Sequence, residues 1–182
     1  MQRRGIVLAV TGGIAAYKAA DLCSKSVQAG LEVTVVMSPA ARKFVGPATF
    51  AALSNRPVVT RIFSSEEYPR GAHIELAERA ELLVVAPATA HFLAQAAHGF
   101  ADDLVATLML SYAGPKLVCP AMNTDMWENP AVQRNVATLR NDGVEIVEPG
   151  SGWLSCGRTG AGRMAEPQEI LKRIQDRFVS VV

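Results

Sequence analysis

The chain has 182 residues, 49% hydrophobic and 19% charged, and its 18 Lys plus Arg against 17 Asp plus Glu leave a net charge of +1. That is the composition of one soluble globular domain able to bury its own core, without the global field that draws a protein to nucleic acid or to an anionic membrane. Cys23, Cys119 and Cys156 make neither a disulfide framework nor a Cys-x-x-Cys pair, which fits a reducing cytoplasm, and neither a signal peptide nor a membrane-length apolar run is visible.

Ile6–Val10 is a short apolar run followed by Thr11-Gly12-Gly13 and then a helical pattern from Ile14. Strand, tight turn and helix in that order make a candidate phosphate cradle, because glycines admit a ligand close to the backbone and a helix start presents free N–H groups. The spacing lacks the Gly-x-Gly-x-x-Gly fingerprint, so a bare βα turn remains the alternative. After Gly30, Leu31–Met37 reads as the second strand. It ends in Ser38-Pro39, where a nicotinamide dinucleotide fold would carry an acidic residue for the ribose. Ser38 either caps the next helix or holds a phosphate.

Residues 47–55 pattern as a short helix, Val58–Phe63 as a strand or extended run, and Ser64–Gly71 as a polar surface loop. His73–Ala80 is a helix leading into the buried strand Glu81–Ala86. His73 stands at a helix start, where the dipole favours a neutral, basic imidazole, unless it is simply an exposed histidine. Pro87-Ala88-Thr89-Ala90-His91 follows at a strand's carboxyl end, then helical patterns over 92–98 and 101–113, with Asp102 and Asp103 in a first turn. Strand Lys116–Cys119 delivers Pro120-Ala121-Met122-Asn123-Thr124-Asp125-Met126-Trp127, where proline ends the ladder and the chain emerges at the sheet edge at which α/β proteins bind ligands. Asn123 offers a donor and an acceptor among apolar Met122, Met126 and Trp127, or it merely makes a turn. Helix Pro130–Asn141 and strand Val144–Val147 precede Gly150–Met164, a stretch too rich in glycine for helix or strand, which reads as a flap-like loop. Pro167–Val179 is the closing amphipathic helix.

Thr11-Gly12-Gly13-Ile14, His73-Ile74-Glu75-Leu76, Ala86-Pro87-Ala88-Thr89-Ala90, the block Pro120–Trp127 and Gly157–Met164, in this order and over nearly the whole chain, resemble the homo-oligomeric flavin-containing Cys decarboxylases, and within them the phosphopantothenoylcysteine decarboxylases. The resemblance implies an α/β, flavodoxin-like three-layer sandwich with a central parallel sheet, assembled as trimers or as multiples of trimers such as a dodecamer. It implies one flavoprotein domain over residues 1–182 with residues 150–164 as substrate flap, and, since a fused synthetase half is not visible, a monofunctional enzyme. It implies FMN held by Gly12, Gly13 and Ile14, by Ser38, by Thr89, Ala90, His91 and Phe92, and by Ala121. It places the base at His73, substrate contacts at Asn123 and Met126, and the proton donor at Cys156. His91 stands where relatives often carry Asn or Asp, and Arg158 where an acidic residue is common.

The implied activity is decarboxylation of 4′-phospho-N-pantothenoylcysteine to 4′-phosphopantetheine, a step in coenzyme A synthesis. An N-acylcysteine loses CO2 with difficulty, because the electron pair left on its α-carbon has nowhere to delocalise. Removing hydride from the β-carbon and the proton from sulfur makes a thioaldehyde, an electron sink. CO2 loss then gives an enethiolate, and returning the hydride with a proton from Cys156 completes the product. Two alternatives stay open: a peptidyl-cysteine decarboxylase that stops at the enethiol, for which Cys156 would be superfluous, and a non-catalytic regulatory subunit, which would be expected to carry partner-binding extensions.

Overall fold

The computed structural model describes residues 4–63 and 66–179. A five-stranded parallel sheet is built from β1 (Gly5–Val10), β2 (Glu32–Met37), β3 (Leu82–Ala88), β4 (Lys116–Pro120) and β5 (Glu145–Ile146) in the order β2-β1-β3-β4-β5. Alternation of side chains sorts the strand residues into two cores. Ile6, Leu8, Val10, Leu82 and Val84 face α1 (Ala16–Gln28), α2 (Pro47–Ser54) and α8 (Pro167–Val179). Val7, Ala9, Leu83, Val85 and Val118 face α3 (Ala72–Arg79), α4 (Ala90–His98), α5 (Leu104–Ser111) and α7 (Pro130–Asn141). Burial on both faces is why β1 and β3 read as continuous apolar runs.

The order 2-1-3-4-5 is flavodoxin-like, with a topological switch point between β1 and β3 that opens a crevice at their carboxyl ends. Everything chemically distinctive in the sequence lies near that edge except His73.

Several elements differ from expectation. Of Val58–Phe63, expected as a strand or extended run, only Val59 bridges, to Val36 at the sheet edge, and beyond it Ile62 packs against the second core without joining the ladder. The helix expected over 101–113 starts at Leu104, because Asp103 caps it by accepting the Ala106 N–H at 2.8 Å. β5 keeps only Glu145 and Ile146. A one-turn helix, α6 (Thr124–Trp127), follows Asn123. The stretch Gly150–Met164 forms a two-stranded antiparallel hairpin, β6 (Gly150–Trp153) and β7 (Thr159–Arg163), rather than a ladder-free loop. Its glycines suit the strand because the Thr124 side chain lies against Gly160 and the Met122–Asn123 backbone against Gly162. Ser64 and Ser65, in the expected surface loop, lie outside the described residues, while Tyr68 of the same loop is buried.

Candidate active site

Thr11, at the end of β1, locks the switch point. Its hydroxyl donates to the Pro87 carbonyl at 2.6 Å and accepts the Thr89 N–H at 3.1 Å, tying β1 to the exit of β3. A Cβ at Gly12 would run into the side chain and backbone of Ala40, so glycine is what lets the β1–α1 turn lie against the loop after β2. Ser38 on that loop is buried and accepts the Ala41 N–H at 3.2 Å, bracing the chain just before the short 3-10 turn Ala41–Lys43 without being its N-cap, which is Ala40, while its own proton can still be offered to an anion. The helix α1 has no side-chain cap and no acidic residue in its first turn. By contrast, α4, α5, α6 and α7 are capped by Thr89, Asp103, Asn123 and Asn129. The uncapped positive end of α1 and the Gly12-Gly13 turn before it both face the crevice, an arrangement suited to a phosphate.

The opposite wall begins where β4 stops. The Ala121 N–H donates to Ala88 O at 3.0 Å, and the Met122 N–H donates to Gly162 O at 2.9 Å. Asn123 Oδ1 accepts the Met126 N–H at 2.8 Å, so the turn-forming reading is met and spends only the carboxamide oxygen. Its two Nδ2 donors are not part of that cap. The hairpin docks on this turn. The Thr124 hydroxyl donates to Ala161 O at 2.8 Å, a Cβ on Gly160 would collide with Thr124, and Gly162, at φ +116°, would collide with the Met122 carbonyl. The tip is closed by the Leu154 N–H donating to Arg158 O at 2.8 Å, and Cys156 is exposed there. Arg158 reaches back to Asp125 at 3.1 Å, both side chains largely in solvent.

Between the walls lies a cavity of about 1060 Å³, at the upper end of the range for small-molecule sites. Of the residues singled out in the sequence, Gly12, Gly13, Ile14, Ser38, Thr89, Ala90, His91, Phe92, Ala121, Asn123, Met126 and Cys156 all line it. His73 does not. It sits at the start of α3, on the same face of the sheet as α4 but outside the cavity lining, its Nδ1 buried without a hydrogen-bond partner beneath Gly71. A second hollow of about 690 Å³, at the amino end of the sheet, contains none of these residues.

The sequence assigned no site role to Lys18, Gln95 or Arg163, which also line the cavity, as does Trp153 of the flap. Lys18 was detectable: three residues after Ala15 and four before Leu22, it falls on the apolar face of α1, where a charge needs a partner. Lys18 is 5% exposed, and its ammonium donates to Met164 O at 3.0 Å and to Glu166 Oε1 at 2.8 Å. That hydrogen bond holds the Glu166 carboxyl below its ordinary value. The cysteines divide cleanly. Burial pushes the Cys23 thiol up to about 11 and Cys119 higher still, leaving Cys156 as the exposed thiol, on the cavity lining. Among the described residues no cluster of His, Cys, Asp and Glu could hold a metal ion, and no helix is long and apolar enough to cross a membrane.

Comparison with known proteins gives this arrangement a family. The flavoprotein family model matches residues 1–179. A probable phosphopantothenoylcysteine decarboxylase of Streptococcus mutans is 42% identical over 175 residues, covering 95% of this chain and 98% of that protein. The coenzyme A biosynthesis bifunctional protein of Bacillus subtilis is 44% identical over 178 residues, which is 98% of this chain and only 44% of the relative's length. In structure, a cysteine-to-serine mutant of phosphopantothenoylcysteine decarboxylase complexed with pantothenoylaminoethenethiol superimposes with a TM-score of 0.86 at 28% identity, covering 97% of this chain and 99% of that one. The FMN-dependent cysteine decarboxylase SpaF gives 0.81 at 35% identity, with 94% of each chain covered. With its glycine-pair turn at the switch point of a 2-1-3-4-5 sheet and a match along all but its last three residues, this chain belongs to the flavoprotein family.

Proposed function

We propose that the chain is an FMN-dependent decarboxylase that converts 4′-phospho-N-pantothenoylcysteine to 4′-phosphopantetheine. The observation that carries this reading is the convergence of an exposed thiol, Cys156, and the Asn123 turn on a cavity whose far wall is an uncapped helix start and a glycine cradle.

The residues present fit FMN. Gly12, Gly13, Ile14 and Ser38 would take its phosphate, and Thr89, Ala90, His91, Phe92 and Ala121 would border its ring. A single glycine-pair turn and a serine rather than an acid after Met37 favour this mononucleotide over a nicotinamide dinucleotide. When bound, the flavin supplies a reversible hydride acceptor. The protein's own groups do the rest. Asn123 Nδ2 would hold the substrate carboxylate and Met126 would cover the carbon skeleton, while the hairpin would exclude water from the reacting carbons. His73 is the base for the substrate thiol, and Cys156 gives its proton to the α-carbon of the enethiolate after CO2 has left.

Because His73 lies outside the cavity of its own chain, this assignment requires a neighbouring subunit to bring it there. Phe63, Ile74 and Leu110 are exposed apolar side chains, the last two on the packed pair α3 and α5, and supply a surface for a trimer-type contact. An active monomer in sedimentation would sink this part of the reading. The proton donor on the hairpin weighs against an enzyme that stops at the enethiol.

The test is to incubate the purified yellow protein with the substrate, follow CO2 release, and identify the cofactor freed by denaturation by its mass. Absence of CO2, or a nicotinamide dinucleotide in place of FMN, overturns the proposal.

A further inference from the structure

We infer that Arg163 and Lys18 form a subsite for a phosphate monoester carried by the substrate, on the flank of α1 away from the cofactor cradle; the inference rests on the decarboxylase reading. Charge on the cavity wall is segregated. Asp102 and Asp103 line the α5 side, and Lys18 and Arg163 line the side where the hairpin meets α8. A second anion entering the cavity is repelled by the first pair and drawn to the second. Both cations share a single carboxylate: Lys18 meets Glu166 at 2.8 Å and Arg163 meets it at 3.0 Å. Lys18 is buried and already met by Glu166, so the half-exposed Arg163 guanidinium, which shares that carboxylate, is the cation with positive charge left to meet a phosphate dianion. Donors remain for it. Lys18 has three N–H bonds and meets two acceptors, Met164 O and Glu166 Oε1, and Arg163 has five N–H bonds in a fork that suits a phosphate. Gly152 keeps the lane open, since a Cβ there would stand 3.2 Å from Arg163 Nη1.

The position separates this anion from the cofactor's. In the helix layer α1 packs against α2 on one side and α8 on the other. Ser38 and the Ala40 backbone that meets Gly12 follow β2, on the α2 side, whereas Lys18 reaches Met164 and Glu166 on the α8 side. The subsite is also at the right distance from the chemistry. From Thr159 to Arg163 the strand β7 runs four residue steps, about 13 Å, so a long substrate laid along the hairpin with its thiol end near Cys156 carries its far end to Arg163.

The experiment compares 4′-phospho-N-pantothenoylcysteine with N-pantothenoylcysteine on the flavin-loaded protein, for the unmodified chain and for Arg163→Gln and Arg163→Lys. The ratio of the two kcat/KM values should fall by about 10–100-fold in Arg163→Gln, with part of it restored by the point charge of Arg163→Lys and the flavin content per chain kept. An unchanged ratio in both variants overturns the inference. So does loss of FMN but not of riboflavin from Arg163→Gln, which would assign the residue to the cofactor's phosphate. Calorimetric binding of 4′-phosphopantetheine against pantetheine separates the two readings. If the unmodified protein turns over neither substrate yet binds the phosphorylated product more tightly and Arg163→Gln does not, the decarboxylase reading fails and the subsite stands. Equal binding of both products by the unmodified protein defeats the subsite.

Discussion

The wall made by the carboxyl ends of β1, β2 and β3 and the wall made by α6 and the hairpin face each other across one cavity, yet they are held by different physics. On the first, Thr11 and Ser38 are buried and cross-linked to neighbouring backbone, and the Gly12 turn is wedged against Ala40. On the second, Asn123 and Cys156 sit on a one-turn helix and a hairpin tip, joined to each other by Met122–Gly162 and Thr124–Ala161 hydrogen bonds and an exposed Arg158–Asp125 pair. A rigid wall suits a cofactor that stays, and a wall held by a few exposed contacts suits a substrate that comes and goes. Substitutions on the second wall should therefore alter turnover while leaving the flavin in place.

The largest test of that division concerns the residue on neither wall. His73→Asn should cut kcat by about 10²–10⁴-fold while retaining flavin, and substrate should no longer bleach the flavin absorbance. Mixing His73→Asn chains with Cys156→Ser chains, followed by dissociation and reassembly, should restore part of the activity, because some sites then combine an intact His73 from one chain with an intact Cys156 from another. No recovery in reassembled, flavin-loaded mixtures would mean that each chain completes its own site.

Cys156→Ser comes next. A hydroxyl is far less acidic than a thiol, so oxidation and CO2 loss should proceed while protonation stalls. Mass spectrometry should find a decarboxylated product two hydrogens lighter than 4′-phosphopantetheine, with the flavin left reduced. Normal product at the unmodified rate would reduce the hairpin to a lid. Gly162→Ala is milder and probes the docking alone. A side chain at φ +116° pressed on the Met122 carbonyl costs about 1–3 kcal/mol, so kcat/KM should drop by roughly 10-fold with flavin content unchanged. Loss of flavin instead would show that the two walls are not independent.

The rigid wall was the readable one. Its strands announce themselves as β-branched runs, its turn as a glycine pair, and Asp103 as a cap, because each depends on local preference or on burial of a whole face. The second wall was readable in composition and misread in conformation. Gly160 and Gly162 argue against a strand when only propensity is weighed, and they sit in one because Thr124 and the Met122–Asn123 backbone occupy the space a side chain would need. Lys18 and Arg163 went unremarked for a related reason: their shared carboxylate, Glu166, follows the hairpin in sequence and meets Lys18 only once α8 has packed beside α1. His73 was marked by its place at a helix start, but no pattern in one chain reports that its imidazole lies away from the cavity.

A smaller contrast separates the thiols by pH. Cys23 has its pKa raised from 9.0 to about 11 by burial, so the fold favours the neutral thiol. Its contribution to stability is intact below about pH 9 and is lost as pH rises through 11. Urea midpoints should fall over that alkaline window. At neutral pH a thiol reagent should label Cys156 alone, with Cys23 and Cys119 reacting only after unfolding. Rapid labelling of all three in the native protein would contradict the burial of the first core.

The smallest effect is expected at Arg158, even though it lies nearest the hairpin tip and replaces a residue that is commonly acidic in the resembling family. Its bond to Asp125 is 3.1 Å long, but the two side chains are 72% and 78% exposed. At such exposure water screens the attraction, and holding two free side chains in one geometry offsets most of what remains, which leaves about 0–1 kcal/mol. The hairpin is in any case positioned by the Thr124 and Met122 hydrogen bonds, which do not involve Arg158. Arg158→Ala should therefore lower kcat/KM by no more than about 5-fold, and the difference from the unmodified enzyme should shrink further as salt is raised. A large loss that persists at high salt would mean that the guanidinium touches the substrate or Cys156 directly, and the substrate wall would then be held by charge as well as by backbone contact.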